Sequence, residues 1–349
     1  MSAPDVGGDG GEAPWLGGLA GGPAPARCEW LGDGAGTRLR VALWPAETGA
    51  GAGTGSGPGS GTGAGAVPRG HVILFPGRTE YLEKYAPLAG LLAARGFAVA
   101  SLDWRGQGLS DRLAGRLGHV GDFAEFQRDV AALTAWAPVA ALPGPRVLAA
   151  HSMGGCIGLR AILTGALSSA DARPAAAIFS GPMWRFGLTG VTLAAARFLS
   201  CAAVRLGFGR HAARKGAPDS TYVLDVGYDG NLLTPDRPVW DALAEQARAH
   251  PELTLAMPTW GWLDAGFRET AALRAAPAPT PAVPRLLLLG AEEAIVSPEG
   301  VRAHAARGEG AELAVIEGGR HETLMDAPDS AVGRQVWAAI DGFLAKQGI

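Results

Sequence analysis

RVLAAHSMGGCIGLRAIL, residues 146–163, reads as two elements joined without a loop. A strand-like apolar run (146–150) meets a helical pattern beginning near Met153, so His151 and Ser152 must make a sharp strand-to-helix turn. Such a turn lifts a serine hydroxyl clear of a sheet, provided small residues stand two places before and two places after it. Gly154 meets the second condition. Ala150 stands where Gly is usual at the first, so one extra methyl has to fit. Gly154, Gly155 and Gly158 leave room for close helix packing. A serine at this point also serves as an ordinary helix cap, but the strand on one side and the helix on the other favour a nucleophile.

Outward from this segment, short apolar runs alternate with helical patterns. HVILF (71–75) precedes a helix over about 81–95, and FAVASL (97–102) precedes one over about 122–137. After the helix that begins near 153 comes AAAIFS (175–180). Continuously apolar strands separated by helices imply a mostly parallel central sheet buried on both faces by helices. The alternation stops after Pro182. About eighty residues rich in Trp, Pro and Arg intervene before RLLLL (285–289) and ELAVI (312–316) restore it. This interruption predicts a helical cap inserted over residues 183–268, between a first core part at 27–182 and a second at 269–349. Parallel sheets place ligands at the carboxyl ends of their strands, so a cap there would cover a pocket. Two Gly/Pro-rich stretches, 1–26 and the loop 48–69 behind the strand-like Arg38–Trp44, carry too little apolar surface to offset ordering and are predicted to be disordered.

A serine hydroxyl needs a base within hydrogen-bond reach. Of the seven histidines, His321 stands in EGGRHETLMD, after the last strand-like run and before the final helix. The chain order serine, acid, histidine demands a histidine at this place. His304 falls in a helical pattern, His211 in the insertion, and His151 is given a packing role. The acid should follow the preceding strand, where RLLLLGAEEAIVSPEG offers Glu292 and Glu293; spacing alone leaves both open. An oxyanion hole requires the backbone N–H after the nucleophile, that of Met153, and a second from the loop after the first core strand, where Pro76-Gly77 turns the chain and Arg78 presents its amide.

Other classes are disfavoured. Thirty basic against thirty-three acidic residues leave a net charge of -3, so no global field draws the chain to nucleic acid. Three separated cysteines form no C-x-x-C pair and fit neither a disulfide framework nor a zinc site. The start lacks a secretory pattern, and a cytoplasmic location is expected. No uncharged apolar run reaches membrane-spanning length. The stretch 188–206, interrupted by Arg197 and Arg205, admits two readings: an interfacial helix at the inner membrane face, or a plain buried or lid helix. No metal or organic cofactor and no protein partner are implied.

Several motifs are more specific: FPGRTEYLEKY (75–85), FAVASLDWRGQGLSDRL (97–113), GHVGDF (118–123), LAAHSMGG (148–155), LLTPDR (232–237), PTWGWL (258–263) and LLLLGAEEAIVS (286–297), with the loop around His321. In these the chain resembles the monoacylglycerol-lipase-like serine hydrolases of the α/β-hydrolase fold, most closely their bacterial lysophospholipase branch. The resemblance implies a triad of Ser152, Glu293 and His321, with the Arg78 and Met153 amides as oxyanion hole. Many relatives carry Asp at the acid position, so Glu293 is a conservative departure. It further implies hydrolysis of a lipid ester with one acyl chain. Asp103, Arg105 and Gln107 match a family loop and are read as structural. Within the insertion and its flank, Met183, Trp184, Phe186, Phe198, Trp260 and Trp262 either line an acyl pocket or form the cap's own core. Two alternatives stand beside this reading: a short-chain carboxylesterase or aminopeptidase on the same fold, and a non-catalytic binding protein that retains it.

Overall fold

Eight strands form one sheet in the order β1-β2-β4-β3-β5-β6-β7-β8. They are β1 (Arg27–Gly32), β2 (Arg38–Trp44), β3 (Gly70–Phe75), β4 (Phe97–Leu102), β5 (Arg146–His151), β6 (Ala176–Ser180), β7 (Arg285–Gly290) and β8 (Ala311–Ile316). A computed structural model describes residues 10–47, 68–214, 220–277, 282–307 and 310–349. From β4 to β8 every neighbouring pair is parallel, and β1 and β2 add an antiparallel edge. The strand-like runs from Arg38 onward all appear as strands. β1 was not anticipated, because its sequence RCEWLG alternates only weakly.

The ten α-helices among the described residues are α1 (Ala86–Ala93), α2 (Phe126–Ala135), α3 (Ala137–Ala140), α4 (Met153–Leu163), α5 (Gly190–Arg205), α6 (Tyr222–Asp225), α7 (Arg237–Ala249), α8 (Trp260–Ala275), α9 (Pro298–Arg307) and α10 (Ala331–Lys346). One sheet face is covered by α1 and α10 through Leu88, Leu92, Val336 and Ile340; the other by α2, α4 and α9 through Val130, Leu133, Ile157 and Val301. Coverage of both faces explains why β3 and β4 are buried at every position and why their sequences show no alternation.

Between β6 and β7 lie α5 to α8, where the alternation of the sequence breaks. The boundary drawn at 268 falls inside α8, which continues to Ala275 and buries Ala265 and Leu273 in the main core. No described helix is long and apolar enough to cross a membrane.

The expectation of disorder up to Ala26 is corrected over residues 10–26. The Ala13 N–H donates to Cys28 O at 2.8 Å, and the Trp30 N–H to Gly11 O at 3.0 Å. Leu16 N–H donates to Glu83 Oε1 at 3.0 Å, and Trp15 packs edge-on against Trp44. Backbone pairing and a few anchors order this strap, a contribution that composition does not register. Residues 1–9 and nearly all of the Gly-rich loop, 48–67, lie outside the described residues.

Candidate active site

The β5–α4 turn closes as its small residues require. Ser152 has φ 50° and ψ -115°, a conformation that costs a non-glycine residue roughly 1–3 kcal/mol and persists only where its surroundings enforce it. They do so here: the Ser152 N–H donates to Ser180 O at 3.0 Å, and Ser152 O accepts from the N–H groups of Gly155 at 3.0 Å and Met183 at 2.9 Å. Helix α4 then crosses β3 so closely that a Cβ on Gly154 would sit 2.3 Å from Phe75 O. Only glycine fits there. The methyl of Ala150 is fully buried without displacing the turn.

His321 stands on the loop after β8, and its Nε2 lies 2.9 Å from Ser152 Oγ. On its far side Nδ1 is 2.7 Å from Glu293 Oε2. The other carboxylate oxygen, Oε1, accepts from the N–H groups of Ile295 at 2.7 Å and Val296 at 3.1 Å. Burial alone would raise the Glu293 carboxyl, but the bond to His321 and these two amides outweigh it and hold the group below the usual range. Glu292 points outward, 3.4 Å from Arg320 and 57 % exposed. Of the two glutamates that spacing left open, it is Glu293 that touches His321. Gly181, not singled out in the sequence, permits this contact. It has φ 49°, and a Cβ there would lie 3.1 Å from His321 Nδ1 and 3.2 Å from Glu293 Oε2.

The loop Pro76–Glu80 follows β3 and shares the cavity wall with Ser152. Gln107 Oε1 accepts from the Thr79 N–H at 2.6 Å, and its Nε2 donates to Gly77 O at 3.4 Å; Glu80 accepts from the Gly77 N–H. Gln107, expected to be structural, thus fixes the segment that carries Arg78. Among the described residues, neither the Arg78 nor the Met153 amide N–H is given to a protein acceptor.

His151 packs as expected but closer to the site than foreseen. Its ring centroid is 4.7 Å from that of His321, its Nδ1 is 3.0 Å from Ser180 O, and burial lowers its pKa. With the carboxylates of Glu80 and Glu322 it forms a cluster of metal-ligand type. The Lys84 ammonium already meets both carboxylates at 2.7 Å and offsets one of their two negative charges. No local pattern announces this network, because its members come from distant segments.

A cavity of about 280 Å³ opens over Ser152 and His321, near the lower end of ligand-pocket sizes. Met183, Phe186 and Trp262 line it, together with Tyr222, Leu233 and Leu243 from the segment between β6 and β7. The remaining expected pocket residues do not. Trp184 is buried against Phe179, its Nε1–H donating to Gly155 O at 3.0 Å. Phe198 projects from α5 and is 72 % exposed. Trp260 opens α8 outside the cavity wall. Alternation and composition cannot tell which aromatic of an irregular insertion faces inward, and that is why half of this set failed.

The family model described as "Serine aminopeptidase, S33" (Hydrolase_4) matches residues 66–328. The chain belongs to this hydrolase family. Among curated proteins it is similar to lysophospholipase L2 of Escherichia coli K12, 46% identical over 91 residues, 25% of this chain and 26% of that protein. The chain thus matches about a quarter of that relative's length. A probable lysophospholipase L2 of Haemophilus influenzae is 26% identical over 279 residues, 79% of this chain and 84% of its own length. Among solved structures, a soluble variant of monoglyceride lipase from Saccharomyces cerevisiae bound to a substrate analog superposes with a TM-score of 0.67 at 18% identity, covering 94% of this chain and 98% of that one. That likeness establishes the α/β-hydrolase fold.

Proposed function

We propose that this chain hydrolyses carboxylic esters of single-chain lipids, lysophospholipids or monoacylglycerols, through an acyl-enzyme on Ser152. One observation carries the reading: an unbroken hydrogen-bonded relay from Ser152 through His321 to the buried Glu293, opening into an apolar cavity. As Ser152 Oγ attacks the acyl carbonyl, its proton passes to His321 Nε2. Glu293 holds Nδ1 as the donor and balances the imidazolium charge. The oxyanion that forms is received by the Arg78 and Met153 amides, at donors that need no reorganisation. His321 then protonates the departing alcohol. A water, deprotonated in turn by His321, releases the fatty acid and restores the serine.

The relatives' names favour a lipid ester over a peptide, as does a cavity walled by Met183, Phe186 and Trp262. Apolar side chains on the outer face of α5, Val191 and Phe198 among them, support the reading of 188–206 as a helix in peripheral contact with a membrane rather than a buried one. The deciding experiment is fluorophosphonate labelling of the native protein and of Ser152→Ala, with mass analysis of the adduct. Labelling confined to native Ser152 is expected. Labelling of the variant would assign the chemistry to another residue, and no labelling of either would favour a non-catalytic protein. Turnover of amide substrates above esters would favour the aminopeptidase alternative.

A further inference from the structure

The triad and its oxyanion hole leave the side chain of Arg78 unexplained. Its Nη2 donates to Leu117 O and Ala256 O, each at 3.1 Å, and Cζ lies 5.1 Å from the Trp262 ring centroid. Two carbonyls and a ring face carry no net charge. The Nε atom is shielded from solvent and has no hydrogen-bond partner. Among the described residues no carboxylate pairs with this guanidinium, although it lines the catalytic cavity. Lys84, the other cation of the cavity wall, is held by Glu80 and Glu322. Burial lowers the Arg78 pKa to about 10, which leaves it charged at neutral pH. Arg78 is half-buried; a cation partly withdrawn from water with no countercharge is costly, and the cost is offset when an anion arrives with the ligand.

We infer that the Arg78 guanidinium receives the phosphate of the lipid substrate, so that this site selects single-chain esters bearing a phosphate over neutral ones. The inference rests on the ester-hydrolase reading above. Arg78 would then meet the substrate twice, by its amide at the acyl carbonyl and by its guanidinium at the phosphate. Six bonds separate an arginine's backbone nitrogen from Cζ, and six separate the acyl carbonyl carbon of a 1-acylglycerol 3-phosphate from its phosphorus. At about 1.5 Å per bond the two spans are comparable. The contacts to Leu117, Ala256 and Trp262 fix the plane of the guanidinium, and a fixed planar fork suits phosphate oxygens better than a flexible ammonium does.

The test uses a minimal pair, 1-oleoylglycerol 3-phosphate and 1-oleoylglycerol, in neutral detergent micelles of constant composition. The readout is the ratio of their kcat/KM values. The native protein should favour the phosphate ester. Arg78→Met should lower the ratio by about tenfold or more, chiefly through KM, as expected for loss of a charged hydrogen bond, and Arg78→Lys should retain part of it. An arginine that merely ties the loops at Leu117 and Ala256 would slow both esters alike and leave the ratio unchanged; that result overturns the inference, as does a native preference for the neutral ester. If Arg78→Met does not fold, competition by glycerol 3-phosphate against 1-oleoylglycerol decides: it should inhibit the native protein and inhibit Arg78→Lys less, and equal or absent inhibition overturns the inference. Failure of the native protein to cleave either ester would refute the ester-hydrolase reading itself, and this inference with it.

Discussion

Glu293→Gln isolates the contribution of the buried carboxylate, and the structure dictates how it should fail. Glu293 Oε1 accepts from two backbone N–H groups, those of Ile295 and Val296. An amide in its place must keep its oxygen toward those donors and turn its NH₂ toward His321 Nδ1, now 2.7 Å from Oε2. Nδ1 is then forced to accept, the ring proton moves to Nε2, and a donor faces Ser152 Oγ where a base is needed. The equivalent wrong-tautomer substitution in the trypsin-type triad costs ~10⁴ in kcat. A fall of ~10³–10⁴ is expected here, about 4–5.5 kcal/mol of barrier at roughly 1.36 kcal/mol per factor of ten. The assay is kcat/KM on a p-nitrophenyl ester, with thermal unfolding to verify that the isosteric variant is folded. Glu292→Gln is the control: its side chain is largely exposed, and turnover should stay within about twofold, as is usual for surface substitutions. Activity of Glu293→Gln within tenfold of native, or a large loss at Glu292 instead, would refute the reasoning.

Gly181→Ala should lower kcat by ~10²-fold, the scale of a misplaced catalytic group, because its Cβ would press on His321 Nδ1 and Glu293 Oε2 from a backbone at φ 49°; unchanged turnover would show that the pair has slack. Asp326 supplies a pH dependence: burial, opposed by the Thr234 hydrogen bond but reinforced by the charges of Asp236 and Glu322, raises its carboxyl to about 7. The folded state therefore binds this proton more tightly than the unfolded one, and the associated stability is complete below about pH 4 and lost as pH rises through 7. Asp326→Asn should flatten the decline in unfolding free energy between these limits, and an unaltered profile would contradict the assignment. Val191→Ser with Phe198→Ser should reduce co-sedimentation with phosphatidylglycerol vesicles; equal sedimentation of native and variant protein would remove α5 as the contact surface.

The parts of this molecule legible in the sequence are those whose physics is local. A strand meeting a helix at Ser152 with Gly154 two places on, and a histidine and acidic loop following the last two strands, are constraints of spacing and chain order. They led to residues that the fold brings within hydrogen-bond distance. What escaped the reading depends on pairings between remote segments. Arg40 is fully buried between Glu83 and Asp103, and Lys84 between Glu80 and Glu322; each charge alone looks like solvated surface until its partner is known. Composition failed for the strap at 10–26 for the same reason, since its order comes from backbone hydrogen bonds to β1 and from anchors on Arg40 and Glu83. Gln107 and Glu80 extend the point to the chemistry. Both lie outside the proposed triad, yet together they fix the short loop that brings Arg78 to the cavity wall shared with Ser152. A preorganised donor is worth more than a mobile one because no reorganisation is needed as charge develops. The loop proposed to supply the second oxyanion donor is therefore held by a buried polar network that no local motif encodes, while the proposed nucleophile can be read from a handful of consecutive residues.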